Sequence, residues 1–386
     1  MTLDREVRSS RTFSLAQSPF NSLLRRLHLL HANGEIRAIP LVVVAWLPLC
    51  IGVLSTLLLG ERRQAMLFDL SVHVRLLLGI PIVVFAEHLL DVRCRGAITM
   101  MYENEIAERT RLDPIIDRAE RLRDSRVAAV VIITLAILAG EAVLWGVTGS
   151  TGVVAGVAHA RDFSFANLWY SGFALPLVQF LLLRWLWHWV IWSYIVLHLS
   201  RLPLATTAMH PDHAAGLAFL AGPISAFSSF LFGASCVLSS AWGTQILHGG
   251  ATMQGLIPSF VVFVAIAVVV ACGPQLAYIG QLYNARYRET WHYHTFSLEY
   301  VRDFRRKWLV KPASDELGSP DIQSLNDLGG AYGTLEKTRL LPIGRRMLVA
   351  IVLSAVIPML PLAATAVPLT QLLKRVGSAM LGGLPL

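Results

Sequence analysis

The stretch "IPLVVVAWLPLCIGVLSTLLLG", residues 39–60, contains no charged side chain. A helix needs about 20 mainly apolar residues to cross the hydrocarbon core of a bilayer, so this stretch predicts a membrane span. Further runs of this kind lie at 72–91, 127–148, 168–199, 214–247, 255–281 and 346–371. The sequence therefore predicts an all-α fold, a polytopic transmembrane bundle of about seven spans with short cytoplasmic helices.

The composition supports a membrane protein and excludes an ordinary soluble domain. Of the 386 residues, 55% are hydrophobic and 15% are charged, and the mean hydropathy is +0.57. Soluble domains carry about 25% charged residues. The net charge of +8 does not indicate nucleic acid, because Arg and Lys are grouped between apolar runs without interleaved aromatic residues. We expect the lipid bilayer as a partner and no nucleic acid.

The basic residues predict the orientation. Residues 1–38 and the connections 92–126 and 282–345 are rich in Arg, whereas 149–167 contains only Arg161 and 248–254 contains no basic residue. Connections rich in Lys and Arg face the cytoplasm. The N-terminus is therefore expected inside, and alternation of the spans then places all three basic blocks on one face. Only Arg62 and Arg63, after the first span, disagree with this pattern.

The same reading divides the chain into four parts. Residues 1–38 form a cytoplasmic amphipathic segment, because "FNSLLRRLHLLH" at 20–31 suits a helix on the inner membrane surface. Residues 39–281 form a six-span bundle, interrupted by a cytoplasmic helical connection at 92–126. Residues 282–345 form a cytoplasmic helical insert that includes a small helical hairpin. Residues 346–386 form a last transmembrane or re-entrant segment and a tail, since prolines interrupt this run.

Charged side chains within apolar runs are the clearest indication of a functional site. Each costs about 2.5 to 3.5 kcal/mol at the centre of a membrane helix, so such residues usually pair or mark a pathway. The chain places these five polar side chains within its spans: Glu87, His88, Glu141, Arg184 and His188. Counting the rise per residue from the ends of the second and fourth spans puts Glu87 and Arg184 at similar depth. We expect them to pair, either as a structural ion pair or as part of a proton or ion pathway. A third alternative is that the span ends lie a few residues away and the groups contact water.

A second candidate is the loop "TTAMHPDHAAGL" at 206–217, which is expected on the cytoplasmic side. His210, Asp212 and His213 lie within four positions, and "WHYH" adds His292 and His294 near the inner end of the sixth span. Imidazole and carboxylate groups that converge can bind a divalent metal such as zinc. The alternative is a helix start, with Pro211 in the first turn and His210 or Asp212 as its cap.

Two stretches resemble a family of bacterial multi-pass membrane proteins with no assigned activity. One is "TTAMHPDHAAGLAFL" at 206–220, and the other is "LGSPDIQSLNDLGGAYGTLEKTRLLPIGRRMLVAIVLSAVIPMLPL" at 317–362. The resemblance implies a protein of a bacterial inner membrane and implies no activity. The chain departs from the family's loop at Ala215, where Gly is usual, which argues against a special backbone conformation there.

The sequence leaves three functions open. The first is a transporter or channel-like protein whose polar path passes Glu87, Arg184 and His188 and opens at the 206–217 loop. The second is a non-catalytic scaffold or signalling component that binds a cytoplasmic protein or a second copy of the chain through 92–126 and 282–345. The third is a membrane-embedded enzyme. The chain contains no GxxxxGK[ST], GxSxG or HExxH motif, so a catalytic function is the least supported.

Overall fold

The computed structural model describes residues 13–15, 37–58, 70–144, 165–248, 250–310 and 320–362, which form nine helices and no strand. Their bounds are α1 Ala38–Leu58, α2 Leu70–Glu103, α3 Arg109–Arg123, α4 Arg126–Leu144, α5 165–199, α6 Ile224–His248, α7 Met253–Val310, α8 Asp321–Glu336 and α9 Arg345–Leu362. The amphipathic segment expected at 20–31 and the tail after Leu362 lie outside the described residues.

Six of these helices, α1, α2, α5, α6, α7 and α9, are long and apolar enough to cross a membrane. This confirms the all-α, multi-pass fold. The span expected at 127–148 corresponds to α4, whose described apolar part is Arg126–Leu138. The chain between α4 and α5 lies outside the description, so this seventh span stays a prediction.

Small residues let the central helices approach closely. α2 packs against α1, α5 and α6, and α6 also packs against α9. A Cβ atom added at Gly233 would lie 2.7 Å from the Ile82 side chain, so only glycine permits this contact between α6 and α2. Where α6 packs against α9, the Ser235 hydroxyl donates to the Ala355 carbonyl over 2.6 Å. The serines of α6 therefore include one that bonds between helices, as packing predicts.

Hydrogen bonds join the basic connections at one end of the bundle. Ala205 N–H donates to the Ile106 carbonyl over 2.9 Å, which ties the α5–α6 connection to the α2–α3 connection. Gln281 Nε2 donates to the Ser200 carbonyl over 2.6 Å. We call the end that contains residues 104–108, 200–217 and 337–344 the basic end. The connections that the positive-inside rule assigns to the cytoplasmic face thus lie together at this end of the bundle.

Two helix bounds differ from the expected ones. α2 continues to Glu103, so the connection 92–126 begins as part of a spanning helix and only α3 is separate. α7 is helical from Met253 to Val310, with a 3₁₀ segment at Gly273–Tyr278, and the insert 282–345 includes its second half and α8. Lys307 Nζ lies 2.6 Å from Asp321 Oδ2, and the rings of Tyr293 and Tyr332 lie 6.3 Å apart. α8 therefore packs antiparallel on α7, and the helical hairpin expected within 318–344 is instead formed by α7 and the single helix α8.

Candidate functional site

Glu87 and Arg184 form an ion pair between α2 and α5. Arg184 Nη2 lies 2.9 Å from Glu87 Oε1, and the two side chains are 4% and 9% exposed. The pairing expected from their equal depth is therefore present. His188, one turn further along α5, places Nδ1 3.5 Å from the same Glu87 oxygen. We call Glu87, Arg184 and His188 the core triad.

The core triad is not saturated by protein groups. Glu87 Oε2, Arg184 Nε, Arg184 Nη1 and His188 Nδ1 are buried and have no hydrogen-bond partner among the residues that the structure describes. Arg184 thus uses one nitrogen on Glu87, whereas Arg–carboxylate pairs are frequently bidentate. A buried polar atom without a partner costs about 1 to 3 kcal/mol. The triad therefore buries more polar atoms than its ion pair satisfies.

Aromatic side chains enclose the triad on the α6 side. The Trp185 ring stacks on Phe230 with centroids 3.9 Å apart, and Trp189 packs on Phe227 at 4.8 Å. Trp189 Nε1 donates to the Val270 carbonyl of α7 over 3.1 Å. Trp185 and Trp189 therefore pack between helices beside the triad.

His88 does not join the triad, and the position of the Glu141 side chain lies outside the described part of the structure. His88 follows Glu87 directly, but it lies on the exposed surface of α2. Consecutive residues of a helix point about 100° apart, which separates the two. For Glu141 the structure describes the α4 backbone and not the side chain.

Asp91 lies one turn from Glu87 on α2, toward the basic end, and continues the row of buried polar side chains that begins at the core triad. It is 2% exposed and accepts hydrogen bonds from the Ser14 hydroxyl over 3.0 Å and the Leu15 N–H over 2.6 Å, and it pairs with Arg95. Arg123 of α3 donates to the Ser14 carbonyl over 2.7 Å. Residues 13–15 thus cover the basic end of this row.

Sequence reasoning missed a second buried polar contact, toward the opposite end. Arg75 is 4% exposed and donates to the hydroxyl of Tyr170, which is fully buried. Both residues lie in π-helical segments, Val74–Gly79 of α2 and Tyr170–Ala174 of α5. Such segments are rare and frequently occur at functional sites. The signal was present, since Arg75 is a charged residue within the apolar run 72–91.

The 206–217 loop is built around Asp212. Its Oδ1 accepts from the N–H groups of Ala214 over 2.8 Å and Gly216 over 3.1 Å, and Oδ2 accepts from Ala218 over 3.0 Å. Burial raises the pKa of Asp212. The hydrogen bonds from these three N–H groups and from His210 lower the pKa by more, so it lies below its usual value. Asp212 therefore caps the start of the short 3₁₀ turn Ala218–Ala221, which precedes α6.

This geometry corrects two expectations. No helix begins at Pro211, because a loop precedes the first turn at Ala218 and α6 itself begins at Ile224. Ala215 has φ of 55°, so the backbone is left-handed there although the residue is not glycine. His213 has φ of 54° as well. The partly buried carboxylate of Asp212 holds these strained residues in place through its hydrogen bonds.

The five residues expected to bind a metal do not converge. His210 Nδ1 lies 3.0 Å from Asp212 Oδ1, but His292 and His294 lie exposed on α7. No group of three His, Cys, Asp or Glu side chains in the described ranges is placed to hold a metal ion. The described geometry therefore does not support a metal site formed by His210, Asp212, His213, His292 and His294.

The loop instead binds the segment before α9. Arg339 N–H donates to the His213 carbonyl over 2.8 Å, and Arg339 Nη2 donates to the Asp212 carbonyl over 2.8 Å. The Thr338 hydroxyl donates to the Ala208 carbonyl over 2.7 Å. The loop at 206–217 and the segment before α9 are thus in direct contact.

Comparison with known proteins does not assign an activity. No family model matches the chain, and neither the curated proteins nor the solved structures contain a significant match.

Proposed function

We propose that this chain is a transport or channel-like protein of a bacterial inner membrane, and that the core triad exchanges a proton on its polar path. The observation that carries the proposal is the unsaturated pair: a buried carboxylate uses one oxygen on Arg184, while Oε2 and three nitrogens of the triad lack partners. Ionisable residues within membrane spans commonly form proton relays.

The chemistry of the triad suits reversible protonation. Glu87 Oε2 can accept a proton without breaking the contact of Oε1 with Arg184. His188 Nδ1 lies 3.5 Å from Oε1, close enough to receive or return the proton after a small side-chain movement. Arg184 stays positively charged throughout and holds the carboxylate in position.

A route toward the basic end is provided by Asp91, one turn from Glu87, and by Arg123 beyond it. Toward the opposite end, α2 places only apolar residues and Gly79 among its buried positions between Arg75 and Glu87. These two levels are roughly 18 Å apart along the helix. α2 therefore offers no polar side chain between these levels, and we propose that α2 and α5 rearrange during a transport cycle.

The orientation rests on the charge pattern. The basic end contains the Arg-rich connections, and the positive-inside rule assigns such an end to the cytoplasm. The family resemblance of the loop and the C-terminal block supports a bacterial inner membrane.

Proton flux into liposomes tests the proposal. The purified protein is reconstituted with the pH-sensitive dye pyranine inside, and a lower external pH, with valinomycin and equal potassium chloride on both sides, drives protons inward. We expect Glu87→Gln to slow acidification by about tenfold or more, because it removes the proton acceptor at nearly constant shape. His88→Gln, the matched control on the exposed side of α2, should retain the wild-type rate. Wild-type flux equal to that of empty liposomes would contradict the proposal.

One observation favours the alternative of a scaffold. Tyr283, Tyr287 and Trp291 lie four residues apart on α7, and each is more than half exposed, at 53%, 53% and 59%. Neighbouring rings contact each other with centroids 6.1 and 6.2 Å apart. An exposed aromatic stripe of this kind can bind a partner protein or a second copy. A folded protein without flux would favour this alternative.

A further inference from the structure

We infer that Arg184 binds a small monovalent anion when Glu87 is protonated, so that the core triad carries one proton together with one anion. This inference rests on the proposed function and names the substrate class of the same site.

The guanidinium has the donors that such an anion needs. Arg184 is 4% exposed, and its Nε and Nη1 have no hydrogen-bond partner among the described side chains and backbone groups. Nη2 alone contacts Glu87. The planar fork of an arginine presents adjacent N–H groups that bind carboxylates and similar anions. Both donors therefore remain available next to the existing ion pair.

Charge balance selects an anion of one charge. Ionised Glu87 and Arg184 together are neutral, and protonation of Glu87 leaves one positive charge in a region of low polarity. An uncompensated ion there costs several kcal/mol. One bound monovalent anion restores neutrality, whereas a divalent anion leaves the site negative.

The described side chains of the neighbouring elements do not supply this missing charge. α1 contains no charged residue, and α6 contains none except the terminal His248. Asp91, one turn along α2, already pairs with Arg95, and Arg123 of α3 adds positive charge. Of the remaining titratable groups that face Glu87, His188 carries no negative charge. α3 and α4 also pack on α5, and for Glu141 of α4 the side chain is not described. Among the described side chains, Glu87 is the carboxylate that contacts Arg184, so we take a ligand as the source of the counter-charge.

The step is balanced in atoms and charge. A proton from hydronium binds Glu87 Oε2 while Oε1 keeps its contact with Arg184 Nη2, and the anion binds at Arg184 Nε and Nη1. Release reverses the order: the proton leaves Glu87 Oε2 for water, and the anion leaves Arg184. No electron is transferred, and no covalent bond forms apart from the O–H bond of Glu87.

Anion gradients test the inference in the same liposomes. With the potential clamped at zero and equal pH on both sides, chloride, lactate or sulfate is placed outside. We expect chloride or lactate to acidify the interior about tenfold faster than sulfate, because only a monovalent anion neutralises the site. The chloride and lactate arms distinguish an inorganic from a carboxylate substrate.

Arg184→Lys provides a variant that keeps the charge but loses the fork, and it should lose the preference for monovalent anions. A measurement on the wild type does not depend on the folding of this variant. Chloride or lactate should raise the melting temperature more at about pH 5 than at about pH 8, and sulfate should not.

The two proposals fail differently. Proton flux down the pH gradient that is equally fast in chloride, lactate and sulfate would overturn the anion inference and leave the proton pathway intact. Absence of proton flux in every medium would overturn both.

Discussion

Arg339 donates its backbone N–H to the carbonyl oxygen of His213 over 2.8 Å, 126 residues earlier in the chain. The side chain of Arg339 reaches Asp212 in the same way, through Nη2. The segment before α9 therefore holds the left-handed part of the loop before α6. These two contacts make the basic end one unit, although its parts are far apart in sequence.

Arg339→Ala should destabilise the basic end. It removes the side-chain bond to Asp212 and leaves a partly buried carbonyl without its donor, at an expected loss of about 1 to 2 kcal/mol in unfolding free energy. The melting temperature of the detergent-purified protein measures this loss. Lys337→Ala, two residues earlier and exposed, is the control and should leave the melting temperature unchanged. Equal losses in both variants would disprove the role of the Arg339 contact.

Asp212→Asn should cost stability at neutral pH and less in acid. The pKa of Asp212 is lowered in the folded state, so the carboxylate stabilises the fold above the unfolded-state pKa of about 3.9. This contribution disappears as the pH falls through the folded-state pKa. The cap contributes about 1 to 2 kcal/mol. Thermal unfolding of both proteins from pH 7 to about pH 3 should therefore show a converging difference; a constant difference would contradict this assignment.

Replacement of Ala215 by glycine should be tolerated better than replacement of Ala214. Both alanines are buried, and both changes remove a methyl group and add freedom to the unfolded chain. Only Ala215 has a left-handed backbone, which costs roughly 1 to 2 kcal/mol for a residue with a Cβ atom. Ala215→Gly should therefore be more stable than Ala214→Gly by about 1 kcal/mol. Equal melting temperatures would show that position 215 is unstrained.

A double-mutant cycle tests the energetic coupling of the core triad. Glu87→Ala and Arg184→Ala should each cost about 3 to 5 kcal/mol, because each leaves an uncompensated buried charge. The double variant removes both charges and should recover part of the loss, as thermal unfolding in detergent can show. Additive losses would mean that the two residues do not stabilise each other.

Deletion of one residue should be tolerated in the π-helical segment of α2. A π turn contains an additional residue relative to an α turn, so removal of Leu78, which lies within Val74–Gly79, can restore α geometry without rotating Glu87. Removal of Phe85 from the α-helical part Ile80–Glu103 rotates the residues on one side of the deletion by about 100° about the helix axis, so they no longer match their neighbours. Size-exclusion chromatography and melting temperature should show a folded protein for the first deletion only. Loss of both would contradict the proposed tolerance.

The sequence by itself determined the spans, the grouping of the basic connections and the pairing of Glu87 with Arg184. These features depend on position along a helix axis, and axial position follows directly from residue number at a constant rise. An apolar run must cross the bilayer wherever it packs, and two charges at one depth are strongly driven to pair.

The tertiary structure decided which faces of the helices meet. Rotation about the helix axis and contacts between distant segments depend on packing and on the π-helical segments, and neither can be counted from a hydrophobic run. Packing therefore put His292 and His294 on the surface, joined Arg75 to Tyr170, and placed Arg339 on the loop at Asp212. It also gave Ala215 its left-handed backbone, since tertiary hydrogen bonds can hold a conformation that local preference disfavours.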